Sequence, residues 1–461
     1  MRIHLLGIGG AGMSAIARIL HARGDDVSGD DRVTSAALDA LNAEGIRAWV
    51  GHDLVHLKDV EAVAPSSAIS RDEPELVEAR RLGLPIWHRG DLLNELLRER
   101  VGVAVAGTHG KSTTTSMIAT VLSDAGLDPS FIIGATPQPL GVNARHGAGE
   151  AFVLEADEYD RTFLRLSPRI AVITNVEFDH PDTYADLNDT KNAFALFARS
   201  APADGAVIVC ADDMGAQDAL ARAAPLAAPV IDYGLKRGAW RAHHPRPNAL
   251  GGVDFDYTGP AGQMGGCSLR VPGDHNALNA LCALVVADAL GVPVDMAARS
   301  LGGFAGVGRR FELRGEARGV RVIDDYGHNP TKIRATLAAA RQRYPVARLW
   351  AVWQPHTFSR TRALIEDFAS AFGDADEVLV LPVYAARERI EDFPYDAAWL
   401  NPIAISRRLR HRSARPVATM TDAAGMLFGL ARGGDVVITL SAGDGNAVGE
   451  RLLSMLREAA R

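Results

Sequence analysis

The stretch Gly107-Thr108-His109-Gly110-Lys111-Ser112-Thr113 follows the apolar run Val101–Ala106 and leads into a helix-like run, Thr114–Leu122. Backbone N–H groups of such a strand-to-helix turn converge on one concavity and can hold phosphate oxygens. Lys111 would reach the β- and γ-phosphates of a nucleoside triphosphate, and Ser112 would bind the Mg2+ that bridges them. A strict Walker A pattern wants glycine where Val105 stands, so a plain turn is the alternative; Gly-Lys-Ser-Thr at this junction favours phosphate. Two acidic stations follow. Phe152-Val153-Leu154 leads into Glu155-Ala156-Asp157-Glu158-Tyr159-Asp160, and Ala171-Val172-Ile173 leads into Thr174-Asn175-Val176-Glu177-Phe178-Asp179-His180. Each sits at the carboxyl end of a predicted strand, where α/β sheets bind ligands. Mg2+ prefers carboxylate oxygens and water, which makes Glu155 a ligand candidate. His180 could serve a second metal as a neutral imidazole. A solvated acidic loop explains either cluster alone; two beside a nucleotide loop favour metal.

A second glycine loop opens the chain. Gly7, Gly9 and Gly12 spell G-x-G-x-x-G after Ile3-His4-Leu5-Leu6, the pattern that lets a backbone approach a pyrophosphate at a helix N-terminus. It does not specify which pyrophosphate. Asp30 and Asp31 lie about twenty residues on, where a ribose-binding acid belongs, so a nicotinamide oxidoreductase is one reading. That reading leaves the second loop and the acidic stations unexplained. With the later loop claiming ATP, Gly9, Gly10, Ala11 and Gly12 are better assigned to a different nucleotide.

The elements that must position these residues are short apolar runs alternating with helix-like segments, including Ile3–Leu6, Val101–Ala106, Ile170–Ile173, Ala206–Val209, Val320–Ile323, Leu349–Trp353 and Asp435–Leu440. Such runs read as buried parallel strands with helical crossovers, an α/β fold. Trp240–Arg270 departs from the pattern and reads as a small antiparallel excursion. The 461 residues allow two to four domains at ~100–200 residues each. Three blocks are expected: 1–100, 101–313 and 314–461. The formal charge of −7 argues against a general nucleic-acid or membrane-surface partner. Cys210, Cys267 and Cys282 are too few and too widely spaced for a disulfide framework or a zinc knuckle. The start is strand-like, no signal peptide is expected, and no apolar run approaches the ~18 residues of a membrane span. A cytoplasmic protein is the expectation.

GTHGKSTTT, EADEYD, TNVEFDH, GDHNALNA, GVGRRFELRG and DDYGHNPT occur here in the order they take in the Mur ligases of peptidoglycan synthesis, which the whole chain resembles. GIGGAGM, PSSAIS (65–70) and QPHTFSRTR (354–362) resemble the branch that joins L-alanine to UDP-N-acetylmuramate. The branch that recycles murein tripeptides shares EADEYD but lacks GIGGAGM and QPHTFSRT; it remains the close rival. A silent nucleotide switch is a third possibility, against which Lys111, Glu155, His180 and Arg310 together speak.

The resemblance implies a three-domain α/β enzyme. An N-terminal Rossmann-like domain would bind the UDP substrate, a central P-loop-like domain ATP, and a C-terminal Rossmann-like domain the amino acid. It implies ATP and two Mg2+ ions as cofactors, with metal ligands Ser112, Glu155 and His180. It implies small-molecule partners, UDP-N-acetylmuramate and L-alanine, and a monomer or weak homodimer. Matched residue by residue, Gly107, Thr108, His109, Gly110, Lys111, Ser112 and Thr113 would hold ATP phosphates. Asn276 and Asn279 fall near adenine, Arg310 on phosphate and Asp325 on ribose. Gly9, Gly10, Ala11, Gly12, Met13, Asp31, Ser66 and Ser67 would hold the UDP substrate. Tyr326, His328, His356 and Arg360 would face the alanine, with Arg360 forking onto its carboxylate. The catalytic set implied is Lys111, His180, Arg310, His328 and Arg360, whereas Arg309 reads as a structural or surface arginine. Two departures stand out. His328-Asn329-Pro330 replaces an expected His-His-Pro, and asparagine cannot carry positive charge. Thr357 follows His356 where some relatives have arginine. Lys191 is the only lysine shortly after His180, the region where some relatives carbamylate one.

Overall fold

The computed structural model describes residues 1–98 and 100–459, in which three sheets follow one another along the chain. The first has four parallel strands in the spatial order Arg47–Val50, Asp26–Asp31, Arg2–Leu6, Ala62–Pro65. The strand order reverses at Arg2–Leu6, and a crevice opens at such a switch point. There Gly7 turns with φ 74, and a Cβ on it would stand 2.6 Å from Ser66 Oγ. The helix Ala11–Ala22 starts directly behind the loop.

The second sheet has ten strands. At its centre Val101–Ala106 lies between Ile170–Ile173 and Ala151–Glu155, all parallel and buried. Both acidic stations therefore leave the sheet beside the glycine loop that follows Val101–Ala106. The expected antiparallel excursion is present as Trp240–Pro247, Val253–Thr258 and Met264–Ser268 at one edge. The helix Lys111–Asp124 is buried although rich in Ser and Thr. Its hydroxyls donate back to carbonyls one turn earlier, as Ser116 Oγ does to Ser112 O at 2.6 Å and Thr120 Oγ1 to Ser116 O at 2.8 Å. Each buried hydroxyl is thereby satisfied at little cost. The apolar helix Asp274–Ala289 packs against it.

The third sheet runs Glu312–Ala317, Val320–Asp325, Val436–Leu440, Leu349–Trp353, Glu377–Val380, Ala414–Pro416. Its first strand is antiparallel and the rest are parallel. Val436–Leu440 lies between Val320–Asp325 and Leu349–Trp353, so the loops after all three open at one edge. Those loops carry Tyr326–Asn329, Ser441–Asn446 and Gln354–Thr357. Among the described residues, no helix is long and apolar enough to cross a membrane.

Candidate active site

Both glycines of the loop after Val101–Ala106 take backbone conformations that other residues rarely adopt. Gly107 has φ 144, and a Cβ there would stand 1.9 Å from Thr174 Oγ1. Gly110 has φ 81 and caps the helix Lys111–Asp124; its Cβ would lie 2.7 Å from Asn279 Oδ1. Thr108 and His109 tie the loop to the second acidic station. Glu177 N donates to Thr108 Oγ1 at 2.9 Å, His109 N donates to Asn175 Oδ1 at 2.7 Å, and His109 Nε2 lies 3.0 Å from Glu177 Oε2. The helix N-terminus is thus held open toward a phosphate-sized space, with Thr113 on its rim.

Lys111 Nζ donates to Glu158 Oε2 at 2.6 Å. Burial alone would lower its pKa, but Glu158, Asp157 and Glu155 outweigh that and raise it, so the ammonium is firmly charged. Ser112 Oγ donates to Glu155 Oε1 at 3.1 Å, while Gly134 N donates to Glu155 Oε2 at 2.8 Å. A hydroxyl and a carboxylate touching beside a phosphate cradle are the hard oxygen donors that suit Mg2+. His180 stands across from them, its Nε2 3.8 Å from Glu158 Oε1, and its backbone is left-handed with φ 55. Thr357, which lines the same cavity, also adopts positive φ at 63. Such conformations cost ~1–3 kcal/mol each and persist where surrounding contacts enforce them.

The third sheet closes over this centre. Asp179 is the hub, and the sequence reading had given it no role. Arg360 Nε donates to Asp179 Oδ1 at 2.8 Å, and Asn329 Nδ2 donates to Oδ2 at 3.4 Å. Both members of the Asp179–Arg360 pair are buried. Burial would raise the Asp179 pKa, but Arg360, His180 and His328 hold it well below the usual carboxylate range. Arg360 also lies 3.0 Å from His356 Nδ1 and 3.5 Å from His180 Nδ1. A fork from Arg360 onto an incoming carboxylate would require it to exchange some of these contacts. His328 Nδ1 pairs with Tyr326 O at 2.9 Å, and Tyr326 packs edge-on to its ring. Burial, reinforced by Lys332 and Arg360, keeps His328 neutral, and burial with Arg360 brings His356 down to about 4.

Asn329 serves a purpose that charge would not improve. Its Oδ1 accepts from Lys332 N at 2.9 Å and caps the helix Pro330–Arg343. Thr357 caps the helix Phe358–Ala369 in the same way, accepting from Arg360 N at 3.3 Å. Lys332, which the sequence reading missed, is half-buried and lines both cavities described below. Burial, opposed by Asp179 and assisted by Arg310 and Lys111, brings it down to about 7. Its only signal in the sequence was its place in the first turn after His-Asn-Pro.

Two adjoining cavities result. One, of about 310 Å³, lies behind the glycine loop and reaches Asn276, Asn279, Phe304, Arg310 and Asp325. Asn279 accepts from Thr114 Oγ1 at 3.2 Å and donates to Asn276 Oδ1 at 3.3 Å, and Asn276 donates to Pro272 O at 2.7 Å. Asp325 accepts from Phe311 N at 2.8 Å. The other cavity, of about 390 Å³, is lined by Lys111, Ser112, Glu155 and His180 on one side and His328 and His356 on the other. Arg310 borders both. Arg309 is structural, donating to Asp324 Oδ2 at 3.0 Å and to Ser441 O at 2.8 Å. Lys191 lines neither cavity and pairs with Asp218 at 2.7 Å.

The opening loop connects to this centre through Arg89, also unforeseen. Arg89 Nη2 donates to Asp157 Oδ2 at 3.4 Å, and a Cβ on Gly12 would lie 3.1 Å from Arg89 Nη1. Gly10 and Ala11 are exposed, Gly9 and Gly12 half-buried, and Ser66 and Ser67 flank the loop from the neighbouring strand end. Asp31 Oδ2 accepts from Gly9 N at 3.1 Å. Met13, by contrast, turns its side chain into the core, since it lies on the sheet-facing side of its helix. Asp30 points to the opposite face of the sheet from Asp31, as strand alternation requires.

Three family descriptions match in succession: "Mur ligase family, catalytic domain" over residues 2–101, "Mur ligase middle domain" over 105–287, and "Mur ligase, glutamate ligase domain" over 309–443. The chain belongs to the Mur ligase family. It is 44% identical over 458 residues to the UDP-N-acetylmuramate–L-alanine ligase of Paenarthrobacter aurescens, covering 99% of this chain and 97% of the relative. The enzyme of that name from Roseiflexus is 43% identical over 99% of this chain and 100% of its own length. Among solved structures, UDP-N-acetylmuramate-alanine ligase MurC from Thermotoga maritima matches with TM-score 0.80 and 28% identity over the whole of both chains. A murein peptide ligase from Psychrobacter arcticus matches with TM-score 0.75 and 28% identity over 99% of each. As a Mur ligase, the protein spends ATP, and the nicotinamide reading falls away.

Proposed function

We propose that this Mur ligase joins L-alanine to the lactyl carboxylate of UDP-N-acetylmuramate, giving UDP-N-acetylmuramoyl-L-alanine, ADP and phosphate. The observation that carries the reading is the shared cavity. One wall is a phosphate-binding helix N-terminus with Lys111, Ser112 and Glu155, and the other is a set of neutral histidines and Arg360 from the third sheet. The 43–44% identity to relatives of that named activity supports the choice of substrates.

A lactyl carboxylate oxygen attacks the γ-phosphorus of ATP, and the bond to ADP breaks. The acyl phosphate formed is attacked by the neutral amine of alanine. The tetrahedral adduct loses phosphate, and the nitrogen loses a proton. Carboxylate and triphosphate repel, so the site must supply positive charge where they meet. Lys111 would exchange Glu158 for the triphosphate, and Arg310, at the border of both cavities, would follow the γ-phosphate. Ser112, Glu155 and His180 would hold two Mg2+ ions, which neutralise charge as it shifts. The asparagine pair and Asp325 would take adenine and ribose in the smaller cavity. His328 and His356, neutral, would orient alanine without competing for its carboxylate. The opening loop would hold the UDP pyrophosphate, with Arg89 along the path from it to Asp157. On this reading residues 1–100, 101–313 and 314–461 serve the UDP substrate, ATP and amino acid in turn. All the named groups come from one chain, in keeping with a monomer or weak homodimer, and the nucleotide substrates point to the cytoplasm.

The test is an amino-acid panel assayed for ADP release with UDP-N-acetylmuramate. L-Alanine should be preferred, with glycine and serine used less well. One methyl discriminates by only ~1–3 kcal/mol, so glycine should retain weak activity. Preference for alanyl-glutamyl-diaminopimelate over L-alanine would instead assign the murein tripeptide reaction.

A further inference from the structure

The face of the first sheet turned away from the opening helix carries a cluster that the ligase reaction does not use. His4, Asp30, His56 and Glu75 converge there, with one nitrogen or oxygen from each lying within 4.8 Å of the others. His4 Nε2 is 3.1 Å from Asp30 Oδ2 and 3.8 Å from Glu75 Oε1. His56 Nδ1 is 2.9 Å from the same Asp30 oxygen and 3.3 Å from the same Glu75 oxygen. We propose that these four side chains form a tetrahedral site for a divalent transition-metal ion of the zinc class.

The spacing supports this. Donors held at ~2.0–2.1 Å from a tetrahedral centre lie about 3.3 Å apart, which is the mean spacing of the contacts above. Two imidazoles and two carboxylates are a zinc-type donor set, whereas Mg2+ keeps waters and oxygen ligands. The charge agrees as well. When both ligate, the two carboxylates bring two negative charges into a place where His4, Asp30 and Glu75 are all 0% exposed. A divalent ion cancels them.

The surroundings are built to orient ligands. His4 Nδ1 pairs with Ser28 Oγ at 3.0 Å, which turns Nε2 toward the cluster. Trp49 stacks on the His56 ring at 4.4 Å and 6°. His52 Nδ1 reaches the other Asp30 oxygen at 2.6 Å. Glu75 Oε2 is fully enclosed and, among the described residues, has no aligned hydrogen-bond partner, although His52 Nδ1 lies 3.3 Å away. Asp53 N donates to Glu75 Oε1 at 3.3 Å and holds that oxygen toward the cluster, as hydrogen bonds from outside the ligand set do for ligating carboxylates.

The ligands come from two strands, the short turn Leu54–Leu57 and the helix Pro74–Arg81. An ion would cross-link them beneath the glycine loop, because the Asp30 carbonyl also accepts from Gly7 N and Ile8 N at 2.8 and 3.0 Å. Its role would be structural.

The test is a Co2+ titration of the chelator-stripped full-length protein, with ADP and Mg2+ saturating the catalytic centre. One equivalent should give the intense visible absorption of tetrahedral Co2+, bleached by Zn2+, and either ion should raise the melting temperature. Glu75→Gln and His56→Gln, checked for native circular dichroism, should lose both responses while Glu155→Gln keeps them. Wild-type protein showing only weak octahedral bands, or a tetrahedral band that survives in folded Glu75→Gln and His56→Gln, would overturn the proposal.

Discussion

Lys111 joins two energetic roles in one side chain. It supplies positive charge to the phosphate cavity, and it neutralises Glu158, which is only 2% exposed. Lys111→Met should therefore lower kcat by on the order of 10²–10³, as loss of one transition-state donor does. It should also destabilise the fold by ~3–5 kcal/mol, because a buried charge loses its partner. Steady-state kinetics and denaturant unfolding measure the two separately; Lys111→Met/Glu158→Gln should restore much of the stability and none of the rate. Lys332 gives a pH signature. Its ammonium holds a proton up to about 10.5 in the unfolded chain but only to about 7 in the folded one. The unfolded state thus binds more protons across that window, so this group makes stability rise with pH from about 7 toward 10.5. Below pH 7 its burial penalty applies in full. Lys332→Met should raise the denaturation midpoint at pH 6 and flatten the rise between pH 7 and 9.5. An unchanged slope would show that Lys332 is solvated. At this scale the sequence was legible wherever partners are near in the chain or belong to one motif, as with Gly107–Thr113 and Glu155. Asp179–Arg360 was opaque because its members lie 181 positions apart and pair only when two sheets meet. Met13 shows the converse limit, since proximity to a motif did not decide which way its side chain turned.

At the scale of elements, the opening turns of helices decide what the loops can hold. Gly107 and Gly110 are required by φ and by the space around them, so Gly107→Ala should abolish nucleotide binding while leaving distant helices intact. Equilibrium dialysis with ADP checks it, and normal binding by the variant would contradict the crowding against Thr174. Asn329 acts through its cap. Asn329→Ala should cost ~1 kcal/mol in stability. Asn329→Asp should keep the cap but place a carboxylate where Nδ2 now donates to Asp179, and so disturb the Asp179–Arg360 pair. The parallel strands were readable as short Val-, Ile- and Ala-rich runs, and the antiparallel edge was readable from Gly and alternation. The capping purpose of Asn329 was hidden, because His-Asn-Pro was compared for charge when hydrogen-bond geometry at the helix start decides the residue.

Over the whole molecule, the second and third sheets turn the carboxyl ends of their strands toward common cavities, and the first sheet's domain is tied to them through Arg89. Arg89–Asp157 links the first to the second, and Asp179–Arg360 links the second to the third. The second link is buried and holds the histidines over the phosphate cavity. Asp179→Asn should leave Arg360 unpaired, loosen the third domain and reduce kcat at least tenfold. Small-angle scattering should report a larger radius of gyration. Arg360→Met/Asp179→Asn should recover stability relative to the single variant, since it removes the uncompensated charge, but not activity. The succession of three α/β blocks was legible from strand–helix alternation that restarts near Val101 and near Arg314. Their closure was not, since it depends on charges that only tertiary structure brings together.

The measurement closest to the central claim is the stoichiometry of a single reaction with purified protein, ATP, Mg2+, UDP-N-acetylmuramate and L-alanine. The expected result is one ADP and one phosphate for each UDP-N-acetylmuramoyl-L-alanine formed, with negligible steady-state ADP release when L-alanine is withheld. ADP release at the same rate without the amino acid, or turnover without amide product, would contradict the account.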